Sequence, residues 1–580
     1  MRSKSVLSVS LLLLMLLLAA CGGGSSSTQS GGKASDDQQI LTIPIGGRTE
    51  LQSFDPALVT EQASIRAVNL VFTGLVQLNN KLEVVDQLAE SHSVSADGLT
   101  WTFKLRPNLK FSDGTPLTSK DVAYSIDRAL KPELKSAVST VYLGLIKDSQ
   151  KRFDGKIPTL IGHSILTPDD QTVVLQAEKK AAYFLQTLTY QTSFVVQRSM
   201  IEKYGDNFAE HLSEGIGGAG PFKVSKYVRG KQIEFVPNPN YYGKKPQLKK
   251  VVLVFYQKED TAYRAYQSNQ LHWALNVPSQ QIEQAKKLPN NQFLNIPQLT
   301  VGYYTMNYLV KPFDNLKVRQ AFDLAIDKDS IANSVYKGAV IPTNHIVPAN
   351  MPGYNENLTG PQGVKTTKGD PALAKKLFEE GLKESNMTRA DFPQITLTFA
   401  SRGSADIRNE ASAVQQMWSQ VLGVNIKLDD VDYNKLLTER NRTVNNPDGM
   451  QMWQLTWGAD YPDPQNWLTL LFGKGSPKNA MNYGQNNSPM AQEQQENQKL
   501  MEQADANQNE EQRMQQYHQA EQALVNDVVW IPVYQDADSM VRKPCVTGIV
   551  DNAQSFIPPE DWANIYITNA KPCADVSAYQ

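Results

Sequence analysis

The chain has 580 residues, 41% hydrophobic and 20% charged, with a formal net charge of -2 at pH 7. A single hydrophobic core stops growing near roughly 250–300 residues, so at least two lobes are expected. This composition excludes a collagen-like or largely disordered chain, and the near-neutral charge leaves no basic footprint for nucleic acid.

At the amino terminus, Arg2 and Lys4 precede an apolar run from Leu11 to Ala20. The run is too short for a stable bilayer span of about 20 residues and has the shape of an export signal. It ends in Leu18-Ala19-Ala20-Cys21, which resembles the bacterial lipobox. On that resemblance residues 1–20 are a lipoprotein signal peptide, and a diacylglycerol on Cys21 holds the mature chain at the outer face of the bacterial cell membrane. The alternative is a plain secretory signal with an incidental cysteine. Residues 21–39 are mostly small and polar, so they read as a flexible tether, with the folded body starting near Ile40. Export also places Cys545 and Cys573 where a disulfide is permitted; two free thiols are the alternative.

The body mixes strand-like and helix-like patterns, which predicts a mixed α/β (α+β) architecture. Leu99 to Leu105 alternates as a strand. A turn at Asp113-Gly114-Thr115-Pro116 follows, and then a helix capped by Thr118 or Ser119 and carrying Val122, Tyr124, Ile126 and Leu130. Gly217, Gly218 and Gly220 before Pro221 suit a tight turn or a lobe crossing that needs positive φ. The run from Asn238 to Gly243 is turn chemistry ahead of a strand from Lys250 to Phe255. A second helix is predicted from Leu316 to Ile331, with Asn315 as its cap. Gln451 to Trp457 reads as a buried strand, Gly458 to Gln465 as a loop and Asn466 to Phe472 as a helix. The Gln-rich stretch from Gln492 to Gln522 reads as a helical pair with a solvated polar face and no functional role.

Several stretches, taken in order from about Ser53 to Tyr534, resemble the extracellular solute-binding proteins of family 5. They include SFDPAL, NLVFTGLVQL, DGLTWTFKLRPNLKFSDGTPLTSKDVAYSIDRAL and GAGPFKVSKYVRGKQIEFVPNPNYYGKKPQLKKV. They continue with YTMNYLVKPFDNLKVRQAFDLAIDKDSI, TWGADYPDPQNWLTLLF and IPVY. This family holds the dipeptide, oligopeptide and nickel receptors of ABC importers, and the resemblance is greatest to its oligopeptide-binding members. It implies a two-lobed, periplasmic-binding-protein type II-like fold that encloses ligand at a hinge. Lobe I would comprise residues 40–300 plus 525–580, with an extra subdomain at about 76–215, and lobe II residues 301–524. It further implies a monomer that hands peptide to ABC permease and ATPase subunits, without cofactor or catalysis.

A receptor for many peptides must grip what all peptides share, the α-ammonium and the backbone. By resemblance, Asp460 in the GADYPDPQ loop binds the ligand ammonium through a charge-assisted bond. Its alternative role is to brace its own loop, the role read for Asp463. Trp457 offers either an apolar wall or a core side chain. Gly458 and Ala459 leave backbone open to an extended ligand added as a strand. The resemblance places Thr60, Glu61 and Gln62 opposite, and Tyr304, Thr305 and Asn307 along the same cleft. Gln454 stands where some oligopeptide receptors carry a basic residue for the ligand carboxylate, so no fixed peptide length is implied.

Rival readings are a nickel chelate, haem or oligosaccharide receptor, and an exported hydrolase. The histidines His92, His163, His211, His272, His345 and His518 show no metal-ligand spacing. No GxSxG, HExxH or GKS/T motif is present, although distant carboxylates brought together by folding stay open. Asp460 favours a cationic ligand over a neutral sugar.

Overall fold

A computed structural model describes residues 31–580. The signal segment and Cys21 lie outside the described residues. Among these, no helix is long and apolar enough to cross a membrane. The body begins earlier than Ile40: Lys33 bridges to Thr568, and the buried Gln39 amide donates to the carbonyls of Ala34 and Ile567. A buried amide needs partners, and satisfying Gln39 pins the preceding residues to the carboxy-terminal segment.

Three sheets organise the molecule. The first runs Ile40–Gly46, Lys250–Tyr256, Gln232–Pro237, Phe222–Val228. Its inner face, with Leu41, Ile43, Phe222, Phe235 and Leu253, forms the core of lobe I. The second is an antiparallel sheet in the order Ala89–Val94, Thr100–Leu105, Thr172–Gln176, Ile165–Asp169, which builds the subdomain. Strand alternation turns Trp101, Phe103 and Leu105 inward. They meet Val122 and Ile126 of the helix Ser119–Ala129, whose start is fixed by a capping box between Thr118 and Asp121. Phe194, Val196, Phe208 and Leu212 pack in the core of the first sheet.

The third sheet has seven strands and joins the lobes. Its order is Trp273–Ala274, Ile531–Arg542, Phe293–Met306, Met452–Gly458, Ile395–Phe399, Ile426–Asp430, with Val340–Pro342 beside Ile531–Arg542. The two long strands pair antiparallel, and each is shared between the lobes. Ile296 packs against the lobe I core and Leu299 within a lobe II core, which puts the outward crossing close to residue 300. Along the returning strand, Val533 and Tyr534 pack in one core with Phe322 and Trp418, whereas Met540 and Val541 pack in the cores beside the first sheet. At the crossing the register slips: Pro297 faces Ala537 and Val301 faces Gln535, leaving Gln298, Leu299 and Thr300 opposite Asp536. Such a bulge bends the strand and turns side chains out of the ladder.

Three local expectations change. The Gly217–Gly220 run is a close packing contact and not a lobe crossing: a Cβ on Gly218 would lie 2.0 Å from the Val71 carbonyl oxygen, and only Gly217, at φ +114, is left-handed. The helix capped by Asn315 ends at Leu324, because Asp327 caps a separate short turn, Lys328–Ser330. The Gln-rich stretch does form two helices, Ala491–Ala506 and Glu510–Asp527, but part of its polar face is internal. The buried Gln498 amide donates to the carbonyls of Phe472 and Tyr483, and Asn497 donates to that of Ala520.

Cys545 and Cys573 are joined in a disulfide. They are also the sulfurs of the one His/Cys/Asp/Glu group, with His272, found close enough to hold a metal among the described residues. The bond occupies both sulfurs.

Candidate functional site

The strand Met452–Gly458 delivers its last residue to the bulge, where Gly458 pairs with Thr300 and the Ala459 N–H donates to the Leu299 carbonyl at 2.9 Å. The chain then turns into the loop bearing Asp460. Asn466 organises this loop. Its Oδ1 accepts from the Asp460 N–H at 2.9 Å, its Nδ2 donates to Asp460 Oδ2 at 3.3 Å, and its carbonyl accepts from Trp457 Nε1 at 3.1 Å. Asp463 braces the far end by accepting from the Gln465 N–H and by a buried ion pair with Arg513 on the helix Glu510–Asp527.

Between the lobes this loop faces a cavity of about 310 Å³. Thr60, Gln62, Asn69, Gln77, Tyr142 and Tyr190 line it from lobe I. Gly458, Ala459, Asp460 and Tyr461 line it from lobe II, and Gln298, Leu299 and Thr300 line it from the crossing strand. Asp460 is the one charged side chain in that lining. Burial pushes its carboxyl above the usual range, partly offset by the Asn466 hydrogen bond and by Lys478. Lys478 sits over the Trp457 ring, 5.0 Å from its centroid, and forms no ion pair with Asp460. Tyr142 and Tyr190 stack at 3.6 Å between centroids, and the Tyr190 hydroxyl donates to the Val59 carbonyl. Burial also raises both phenols, Tyr190 to about 12, so both stay neutral beside Asp460.

The structure thus gathers Asp460, Gly458, Ala459, Thr60 and Gln62 around one cavity. Glu61 stands next to them, but its carboxylate is committed: it caps the helix Gln62–Val71 by accepting from Ala63 and Ser64 N–H and pairs with Arg48 at 2.6 Å. Trp457 packs against the lobe II core and does not line the cavity, which decides between its two readings. Tyr304, Thr305 and Asn307 are a correction. All three are fully buried, with Tyr304 donating to Glu410, Thr305 to the Val529 carbonyl and Asn307 to the Asn446 carbonyl. Beyond the bulge the strand runs into the lobe II core, so its cleft-facing residues are Gln298 to Thr300. Sequence reasoning also missed Asn69, Gln77, Tyr142 and Tyr190. Asn69 and Gln77 lie within the NLVFTGLVQL stretch, which pointed to the family but not to a ligand contact, whereas Tyr142 and Tyr190 sit in no quoted motif.

A two-lobed body with a cavity at the strand crossings can be compared with known proteins. Residues 83–479 match the model of bacterial extracellular solute-binding proteins, family 5 (middle region). The chain belongs to that family. Relatives of this family 5 protein include the oligopeptide-binding protein OppA of Bacillus subtilis, 28% identical over 515 residues, or 88% of this chain and 90% of that one. The dipeptide-binding protein DppE of Bacillus subtilis is 28% identical over 524 residues, 90% of this chain and 91% of that one. Among solved structures, the unliganded open form of MppA, a periplasmic murein tripeptide-binding protein, matches with a TM-score of 0.78. It is 26% identical and covers 93% of this chain and 99% of the other.

Proposed function

We propose that this family 5 protein is the extracytoplasmic, lipid-anchored receptor of an ABC importer, which captures peptides between its lobes and delivers them to a membrane permease. One observation carries the peptide assignment: a half-buried carboxylate, Asp460, faces the interlobe cavity with no ion-pair partner among the described residues, and amides and hydroxyls supply most of the remaining polar lining. A peptide ammonium provides the missing countercharge, and a charge-assisted hydrogen bond in a desolvated cleft fixes the register of the bound chain. Neutral amides and exposed backbone at Gly458 and Ala459 then satisfy peptide groups irrespective of sequence. Similarity to OppA and DppE, an oligopeptide-binding and a dipeptide-binding protein, supports the same class of ligand. The two crossing strands are the hinge about which closure excludes water.

The test is mass spectrometry of small molecules that co-purify with the full chain and with Asp460→Ala. Short peptides are expected on the unaltered protein and should be lost or greatly reduced in the variant. Equal retention rejects the anchor, and a sugar or metal complex in place of peptide rejects the ligand class. Membrane attachment is tested separately by fractionating cells that express Cys21→Ser, which should release the protein from the membrane fraction.

A further inference from the structure

A second cavity, of about 590 Å³, adjoins the first, and Thr60, Gln62, Gln298 and Thr300 line both. The two differ in charge. The first holds only Asp460, whereas the second gathers two guanidinium groups, Arg48 and Arg66, against four carboxylates, Glu61, Glu259, Asp536 and Asp538. Most of these charges are matched. Arg48 pairs with Glu61 at 2.6 Å, Asp538 accepts from the Ser555 hydroxyl at 2.5 Å, and exposed Glu259 accepts from Asn276 at 2.8 Å, while Arg66 feels Asp538 and Glu61 at longer range without pairing with either. Among the four carboxylates Asp536 is the exception. It stands opposite the bulge at Gln298–Thr300, the charged groups it feels, Asp538 and Glu410, are both carboxylates, and no hydrogen bond or ion pair reaches its side chain among the described residues. On the other side its backbone is held in register against Val340.

An uncompensated carboxylate in a roomy, partly desolvated chamber selects for positive charge. Resting on the peptide reading above, we infer that this second cavity is a subsite for a cationic side chain of the bound peptide, lysine or arginine, with Asp536 as its acceptor. Shared lining lets a ligand whose backbone lies in the first cavity extend a side chain into the second. The long aliphatic stem of lysine spans such a distance while its ammonium makes the charged contact.

The test is calorimetric titration of the full chain with tetra-alanine peptides carrying one lysine, norleucine or glutamate at each position in turn. At one position lysine is expected to bind about tenfold more tightly than norleucine, the gain typical of a charge-assisted bond. In Asp536→Asn that lysine-to-norleucine ratio should fall to about one, and in Asp536→Lys glutamate should become the favoured residue there. A ratio near one at every position in the unaltered chain overturns the inference, as does a ratio that survives Asp536→Asn. Tight binding of free cadaverine to the peptide-free chain would instead mark a site for free amines and also overturn it. Failure of every peptide to bind the unaltered chain is a separate result: it sinks the peptide reading itself, and the subsite with it.

Discussion

A carboxylate held out of water without a counter-ion is less willing to ionise, which is why burial raises the pKa of Asp460. A docked ammonium needs the ionised form. Affinity for peptides with a free amino terminus should therefore decline as pH falls through the raised pKa, at a higher pH than a solvent-exposed aspartate would dictate. N-acetylated peptides should bind weakly and show no such decline, which calorimetry at several pH values can check. Asp460→Asn preserves side-chain shape beside Asn466 and should weaken free-amine peptides roughly ten- to hundredfold, as expected for loss of a charge-assisted bond. The location of Asp460 was legible because its loop carries a motif. Asp536 was not, since an aspartate in a strand has no signature until the register slip at Gln298–Thr300 exposes it.

Among the elements, the helix Glu510–Asp527 does the most to hold the site in shape. Arg513 ties it to Asp463 at the base of the Asp460 loop. Removing one partner of a buried pair leaves a bare charge, so Asp463→Ala should cost about 3–5 kcal/mol of stability and also weaken peptide binding through the loosened loop. Unchanged denaturant midpoints would reject this. Two turns further along, fully buried Glu521 accepts from the Ile346 and Val347 N–H groups through one oxygen, and burial raises its pKa to about 8. A raised carboxyl pKa gives stability that is complete below the unfolded value near 4.5 and is lost as pH climbs through about 8. Glu410, pushed up to about 7 and bonded by Tyr304 and Tyr336, acts in the same direction. Melting temperature should thus fall between about pH 4.5 and about 8, and Glu521→Gln should flatten that slope. The helix pair was predictable from its composition. Its internal polar face was not, because Gln494, Asn497 and Gln498 look alike in solvent and in a buried network.

At the scale of the whole molecule, the lobes meet through two long strands and close around the cavity between them. Small-angle scattering should show a smaller radius of gyration when a bound peptide is added, while Asp460→Ala should need far more peptide to give the same change. The Cys545–Cys573 bond fastens a carboxy-terminal segment, 28 residues apart in sequence, that also holds Gln39 through Ile567. Reduction should lower stability by about 3 kcal/mol by the loop-closure argument. Neither cysteine lines either cavity, so peptide affinity at moderate temperature should change little.

The sequence by itself determined the mixed architecture, the two-lobed plan, the helix begun at Thr118 and the loop that presents Asp460. Periodicity, caps and turn chemistry act within a few residues, and ordered motifs along the chain carry the rest. Only the tertiary structure decided that Tyr304, Thr305 and Asn307 enter the core, and that Tyr142 and Tyr190 join Asp460 across the cleft. It alone placed an unpaired aspartate beside a second cavity. These outcomes depend on strand register and on contacts between segments hundreds of residues apart, and a one-residue slip, invisible in composition, changes which face of a strand meets the cleft.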